Sequence, residues 1–230
     1  MKRLLLIGLL ATVLLPLAAQ KKERSIEIDQ NASIDIDEVF DAMGIGIANF
    51  DLSALRNETY KLTLYIDEYL NEEKLERVFD GYIIGDNWNP LPEDADQRKE
   101  FIKKKNLDVP RKAKRWHVDE INVYIVPLND STSKIVLHTP SATVYRNVHL
   151  QTLPEESKPI YDFRPFHKIQ LTDQKHQEIP LAVYSSNWFD KEAGMARSCY
   201  GDISPDMSDE FFSLTHHYFV PVLILDKREK

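Results

Sequence analysis

Apolar and polar residues alternate in twos along much of this chain, the period of a β-strand with one face buried. Between Tyr60 and Asp67, Tyr60, Leu62, Leu64 and Ile66 share one side, while Lys61, Thr63, Tyr65 and Asp67 share the other. The spacing predicts a strand there, with Lys61 and Thr63 outward. Ser25 to Asp29 and Ser33 to Asp37 alternate Ile with acidic or polar residues in the same way. Further strands are predicted over Arg77–Ile84, Ile121–Val126, Lys134–His138, Thr143–Leu150, Phe166–Leu171 and Ile179–Ser185. Asn129-Asp130-Ser131-Thr132 reads as a hairpin tip. His217 to Leu225 is almost continuously apolar, which predicts burial on both faces. Pro221 lies inside that run and cannot donate a ladder hydrogen bond, so it requires an edge or a bulge.

The period of 3.6 is rare. Asp37 to Phe50 places Val39, Phe40, Met43 and Ile47 at helical spacing, weakened by Gly44 and Gly46. From Glu93 to Lys105, Pro92 opens a second helix, acids crowd its first turns and Lys103–Lys105 close it, in the sense of the helix dipole. Its large apolar residues are Phe101 and Ile102, so it belongs on the surface. Many short strands, few helices and no βα alternation predict a mostly β fold. The expected form is an antiparallel β-sandwich, with an irregular β-barrel as the alternative, carrying one or two short surface helices. Seven glycines fall well below the roughly 7% average, so Asn, Asp, Ser and Pro must make many turns.

The first twenty residues break the pattern. Lys2 and Arg3 precede an apolar run from Leu4 to Leu15, Pro16 ends it, and Leu17-Ala18-Ala19-Gln20 supplies small residues for cleavage. That run is shorter than the roughly 20 residues a spanning helix needs. Residues 1–20 are therefore expected to be a signal peptide, and residues 21–230 a single β-rich domain without a transmembrane anchor. Cleavage is expected after Ala19 or Gln20. The expected location is the periplasm or cell surface.

Composition narrows the class. Hydrophobic residues make up 43% and aromatics 10%, enough for a core. The formal charge of −8 becomes −10 once Lys2 and Arg3 are removed, leaving 27 basic residues against 37 acidic ones. An acidic chain of this kind is a poor binder of nucleic acid. Cys199 is the sole cysteine, so no internal disulfide forms; the bland reading is a buried thiol, and Arg-Ser-Cys-Tyr-Gly matches no nucleophile signature.

Four local signals bear on function. Oxygen-bearing residues alternate from Asp29 to Asp37 as in a calcium loop, but Ile34 and Phe40 stand where that loop needs Gly and a bidentate Glu. Arg98, Lys99, Lys103, Lys104, Lys105, Arg111, Lys112, Lys114 and Arg115 crowd one stretch, either an anion site or a solvated excursion. Asn87-Trp88 and Asn187-Trp188 set indoles among amides and acids, a combination that suits sugars: the ring covers a pyranose face and the amides bind hydroxyls. Their alternative role is to plug the core. His117 and Asp119 share a strand face, a half-site for a metal or an acid–base pair with no third member. No metal or cofactor is expected.

The Lys-Arg start, the Leu-Ala-Ala-Gln ending and the Gly-poor mature chain rich in Lys, Asp and Tyr give a resemblance. The chain resembles an uncharacterised family of exported Bacteroides proteins of about this length, described as a domain of unknown function. That resemblance implies an envelope location and supplies no catalytic residues to carry over. The leading expectation is a non-enzymatic exported domain that binds a glycan or an envelope protein through Trp88 with Asn87, or Trp188 with Asn187. Its rivals are a carbohydrate-acting hydrolase with an unlocated carboxylate pair and a structural envelope component.

Overall fold

The computed structural model describes residues 39–40, 42–75, 77–110, 112–153, 158–167, 169–190, 192–197 and 200–229. The expected signal segment, the strands before Asp37, the calcium-like loop, Arg111 and Cys199 lie outside them. Strands dominate, and the sheets are antiparallel. In chain order the first six are β1 (Gly46–Asp51), β2 (Tyr60–Leu70), β3 (Glu73–Lys74), β4 (Phe79–Asp86), β5 (Trp88–Pro90) and β6 (Arg115–His117). Then come β7 (Glu120–Asn129), β8 (Thr132–His138), β9 (Thr143–His149), β10 (Tyr161–Pro165) and β11 (His176–Pro180). The last are β12 (Ala182–Ser186), β13 (Trp188–Asp190), β14 (Met195–Arg197) and β15 (His217–Lys227). Two helices, α1 (Ala95–Lys104) and α2 (Glu210–Leu214), complete the list of described elements, with a 3₁₀ turn at Ser53–Asn57.

Sheet A runs β1-β7-β8-β9; sheet B runs β10-β12-β15-β2-β3, with β11 also on β15 and β4 on β2. Neither closes into a barrel, so the architecture is that of a β-sandwich. The core between the sheets takes Leu62, Leu64 and Ile66 from β2, Phe219, Leu223 and Leu225 from β15, and Ile121, Val123, Ile125, Ile135 and Leu137 from sheet A. A second core covers the other face of sheet B. There Tyr218, Val220, Val222 and Ile224 meet Phe211, Phe212, Ile203 and Phe166.

Sheet B is thus buried on both sides, which corrects one expectation: Thr63 is 5% exposed, not outward. The same layering explains Pro221. Its carbonyl accepts the Leu181 N–H at 2.9 Å, so its nitrogen points at the same place. Leu181 is the joint where β11 stops and β12 starts, and no ladder donor is needed there. The expected single strand over Ile179–Ser185 is accordingly two.

Two further expectations change. Among the described residues, the helical spacing over Asp37–Phe50 survives only at Val39, Phe40 and Ala42. Gly44 at φ +69 and the bond from Ile45 N–H to the Phe40 carbonyl, 2.8 Å, stop the helix with a Schellman closure. Gly46–Asp51 then pairs with β7, and Gly46 is needed because a Cβ there would lie 2.5 Å from the Phe163 ring. Phe166–Leu171 is not a strand. Ile169 packs against both cores, so the apolar–polar alternation marks a segment rounding the edge of sheet B. α1 follows its prediction: Asp94 caps it by accepting from the Asp96 and Gln97 amides, and only Phe101 and Ile102 reach the core.

Leu64 is 1% exposed at the centre of the first core. Leu64→Ala should cost about 2–5 kcal/mol in chemical denaturation; a loss below about 1 kcal/mol would contradict the packing. Gly46→Val should cost about 1–3 kcal/mol by overpacking against Phe163, and an unchanged midpoint would show that β1 and β10 are not in contact.

Candidate functional site

The two Asn–Trp pairs fall at opposite ends of sheet B. β2 and β15 pair from Tyr60↔Lys227 to Leu70↔His217, ten residue steps or roughly 33 Å of strand. Lys61↔Asp86 places Trp88 past the first end, whereas Ser185↔Tyr218 places Trp188 past the second. They cannot form one platform.

Trp88 is held from behind by a buried polar network. Asn87 is 0% exposed. Its Oδ1 accepts from the Tyr60 N–H at 2.9 Å, and its Nδ2 donates to the Leu55 and Glu58 carbonyls and to His117 Nε2 at 3.0 Å. Because that amide nitrogen can only donate, Nε2 of His117 accepts and Nδ1 carries the proton. Nδ1–H donates to Asp119 at 2.8 Å, and Asp119 also accepts from Arg56 Nε and Nη2, at 2.8 and 2.7 Å. Burial lowers the His117 pKa, with the Asp119 hydrogen bond pulling the other way. Burial raises that of Asp119, but the bonds from Arg56 and His117 outweigh it and the net shift is downward. His117 and Asp119 thus share a face, as the spacing predicts, and each is fully engaged in holding the fold.

The indole of Trp88 stands on this network. Its Nε1–H donates to the Arg56 carbonyl at 3.1 Å, its ring meets His117 edge-on at 4.9 Å, and its own carbonyl accepts from Arg115 Nη2 at 3.1 Å. The side chain is half-buried. Asn87, expected as a ligand-facing amide, has no surface to offer.

Groups that could meet a ligand lie next door. A polar cleft of about 580 Å³ starts at Asn57, the residue after the carbonyl that holds the indole, and includes Asp86, two residues before Trp88. Its charges come in pairs: Arg228 with Asp86 at 3.1 Å, Lys175 with Glu229 at 2.7 Å, and Lys227 with Glu58. Glu58 also accepts from Tyr60 Oη at 2.6 Å; burial and this bond push the Tyr60 hydroxyl up to about 12. Both Glu58 and Asp86 face cations. α1 connects β5 to β6, so the basic stretch belongs to the same end of the molecule. Arg98 is spent on the Pro92 and Glu93 carbonyls, while Lys99, Lys103, Lys104, Lys112 and Lys114 are exposed.

The Trp188 end is built differently. Asn187 is 6% exposed, and the half-buried Trp188 ring has Arg197 over it at 5.9 Å and Tyr200 against its edge at 6.5 Å. Trp188 Nε1 finds no hydrogen-bond partner among the described residues. His216 and His217 separate, as strand alternation requires: His216 meets Asn71 at 2.7 Å, and the buried His217 meets Glu68 at 2.8 Å and Tyr161. Among the described residues, no three His, Cys, Asp or Glu could hold a metal, and no helix is long and apolar enough to cross a membrane.

A family model for a domain of unknown function, DUF5041, matches residues 15–227. The chain belongs to the DUF5041 family. No curated protein and no solved structure matched. The site of this DUF5041 domain therefore has to be read from its own geometry. Glu58, Asp86, Lys175, Lys227 and Arg228 carried no signal in sequence, because the cleft draws them from four separate segments. Asn87 stood out for the wrong chemistry, since a buried amide and a ligand-binding amide look alike in sequence.

A depressed histidine pKa means that the folded state binds its proton less readily than the unfolded chain. His117 and His217 both have pKa values lowered by burial from 6.5, so the stability they contribute is complete above about pH 6.5 and is lost as pH falls below it. The melting temperature of this DUF5041 domain should drop between pH 7 and pH 5, and by less in His117→Gln. Equal drops in both proteins would show that His117 is not buried in its neutral form.

Proposed function

We propose that this DUF5041 protein is an exported, non-enzymatic domain that binds a glycan at the Trp88 end of the sandwich. The observation that carries the reading is the indole itself: half-exposed, locked by its Arg56 hydrogen bond and the His117 edge, and adjacent to a cleft lined by charged groups with one amide, Asn57. Sugar recognition needs a rigid aromatic face and polar groups fixed beside it. Ion pairing holds the cleft side chains in place, so less rotamer entropy is lost on binding. The exposed lysines of α1 and the following loop favour an acidic glycan, sulfated or phosphorylated, over a neutral one.

Export rests on the Lys-Arg start, the short apolar run and the Ala-Ala ending of the first twenty residues. The resemblance to exported Bacteroides proteins supports a location in the periplasm or at the cell surface. Binding is favoured over hydrolysis because Glu58 and Asp86 each face a cation, whereas a glycosidase acid needs a carboxyl whose surroundings keep it protonated.

A glycan array with the mature domain should show binding to acidic oligosaccharides. Trp88→Ala should weaken it by roughly tenfold or more, the scale of one lost aromatic stacking contact, while Trp88→Phe retains part of it and Trp188→Ala none of the loss. Absence of any array signal from a folded wild-type domain would eliminate the glycan reading, as would equal affinity in Trp88→Ala.

A further inference from the structure

We infer that the sandwich contains a second binding site, an open cleft with an apolar floor at the β1 edge that takes an uncharged hydrocarbon ligand. The cavity measures about 460 Å³, within the range of small-molecule sites. Its floor is the main core itself: Leu55, Leu181, Leu223 and Leu225 line it and are 3%, 1%, 1% and 0% exposed. At its mouth Ile47 and Leu171 stand in water, each 43% exposed. A cleft that opens to solvent on one side and is floored by core leucines offers an apolar guest a surface to bury.

The cause of the opening is visible. β1 is the last strand of sheet A among the described residues, and it contributes Ala48, with Ala54 following, where larger side chains would fill the gap. Across from it, sheet B is interrupted at Leu181 between β11 and β12.

Charge decides the class of ligand. The polar groups in the lining are Asn49, Asp51 and His167. Asn49 donates to Glu120 at 3.1 Å and Asn122 at 2.7 Å, and Asp51 accepts from the Ser53 N–H and hydroxyl at 2.8 and 2.9 Å. Those bonds hold the Asp51 carboxyl below the usual carboxylate range. An anionic head group would meet Asp51 in the lining and Glu120 beside Asn49, while Arg56, the cation that acts on Asp51, is already held by Asp119. A long-chain alcohol or similar neutral molecule escapes that repulsion; a fatty acid does not.

The test uses the mature domain and N-phenyl-1-naphthylamine, an uncharged apolar fluorophore. Saturable one-site binding is expected, with dodecanol displacing the probe at a concentration at least tenfold below dodecanoate at pH 7. Ala54 is exposed, so Ala54→Trp should fill the mouth and reduce affinity at least tenfold with little change in melting temperature. Leu171→Glu, also at an exposed position, should do the same by charging the entrance, and Trp88→Ala should leave probe binding intact. Non-saturable fluorescence, or unchanged affinity in both mouth variants, would overturn the site. Displacement by dodecanoate equal to or better than dodecanol would overturn the uncharged assignment.

Discussion

The strand His217–Lys227 has no solvent face over most of its length, and that constraint organises the rest of the chain. Its odd-numbered side chains, Phe219, Leu223 and Leu225, need cover from sheet A; its even-numbered ones, Tyr218, Val220, Val222 and Ile224, need cover from the segment around Phe211 and Phe212. Each such burial is worth roughly 1.5–3 kcal/mol before entropy is counted. A two-sheet sandwich alone would leave one of these rows in water. The third layer, short helix and loops together, is what an apolar strand in the middle of sheet B demands. Pro221 adds a positional condition, since the strand must pass a gap where no donor is wanted. The joint at Leu181 is that gap.

Buried polar pairs fix the register that apolar packing leaves loose. His217 donates through Nε2 to Glu68 and accepts from the Tyr161 hydroxyl, which itself accepts the Gln151 N–H at 3.0 Å. Ser133 of sheet A meets Tyr184 of sheet B at 2.8 Å, and the 1%-exposed Asp67 is held by Lys74 and Arg77 at 2.6 and 2.8 Å. A one-residue slip of any strand would leave these groups unpaired in the interior, at about 1–3 kcal/mol each. Specificity of register is the evident contribution of such pairs here; their net stabilisation is small beside the apolar cores.

How much of this the sequence discloses depends on whether a residue's environment is local. The alternation of Tyr60, Leu62, Leu64 and Ile66 names their strand and their inward side, because both follow from a period of two. The unbroken run to Leu225 announces two buried faces. Thr63 defeats the same logic, since a polar residue can be covered by a layer that β2 itself does not specify. Phe166–Leu171 defeats it differently, because a segment rounding a sheet edge also alternates its neighbours. At the site, Trp88 was visible as a residue type in an Asn-rich setting, but the polar residues of the cleft beside it come from the loop before β2, the end of β4, Lys175 before β11 and the end of β15 with the chain after it. Nothing in the order of residues brings those together; the pairing of Tyr60 with Lys227 does.

That division between support and contact has a physical reason. Asn87, adjacent to Trp88 in sequence, shares its backbone path into the fold, so its side chain ends up behind the ring, where it bonds to His117, the residue paired with Trp88 across β5 and β6. Surface beside the ring must then be supplied by other strands that end at the same level. The cavity at β1 follows from a similar economy of space. Accommodating Pro221 interrupts sheet B at Leu181, and an interruption in a sheet leaves its opposite layer without a continuous surface to pack on. β1 and the turn after it meet that interruption with two small side chains, Ala48 and Ala54, rather than closing it. The covered strand at the centre of the molecule therefore accounts for the depth of the core, and for where the core remains open.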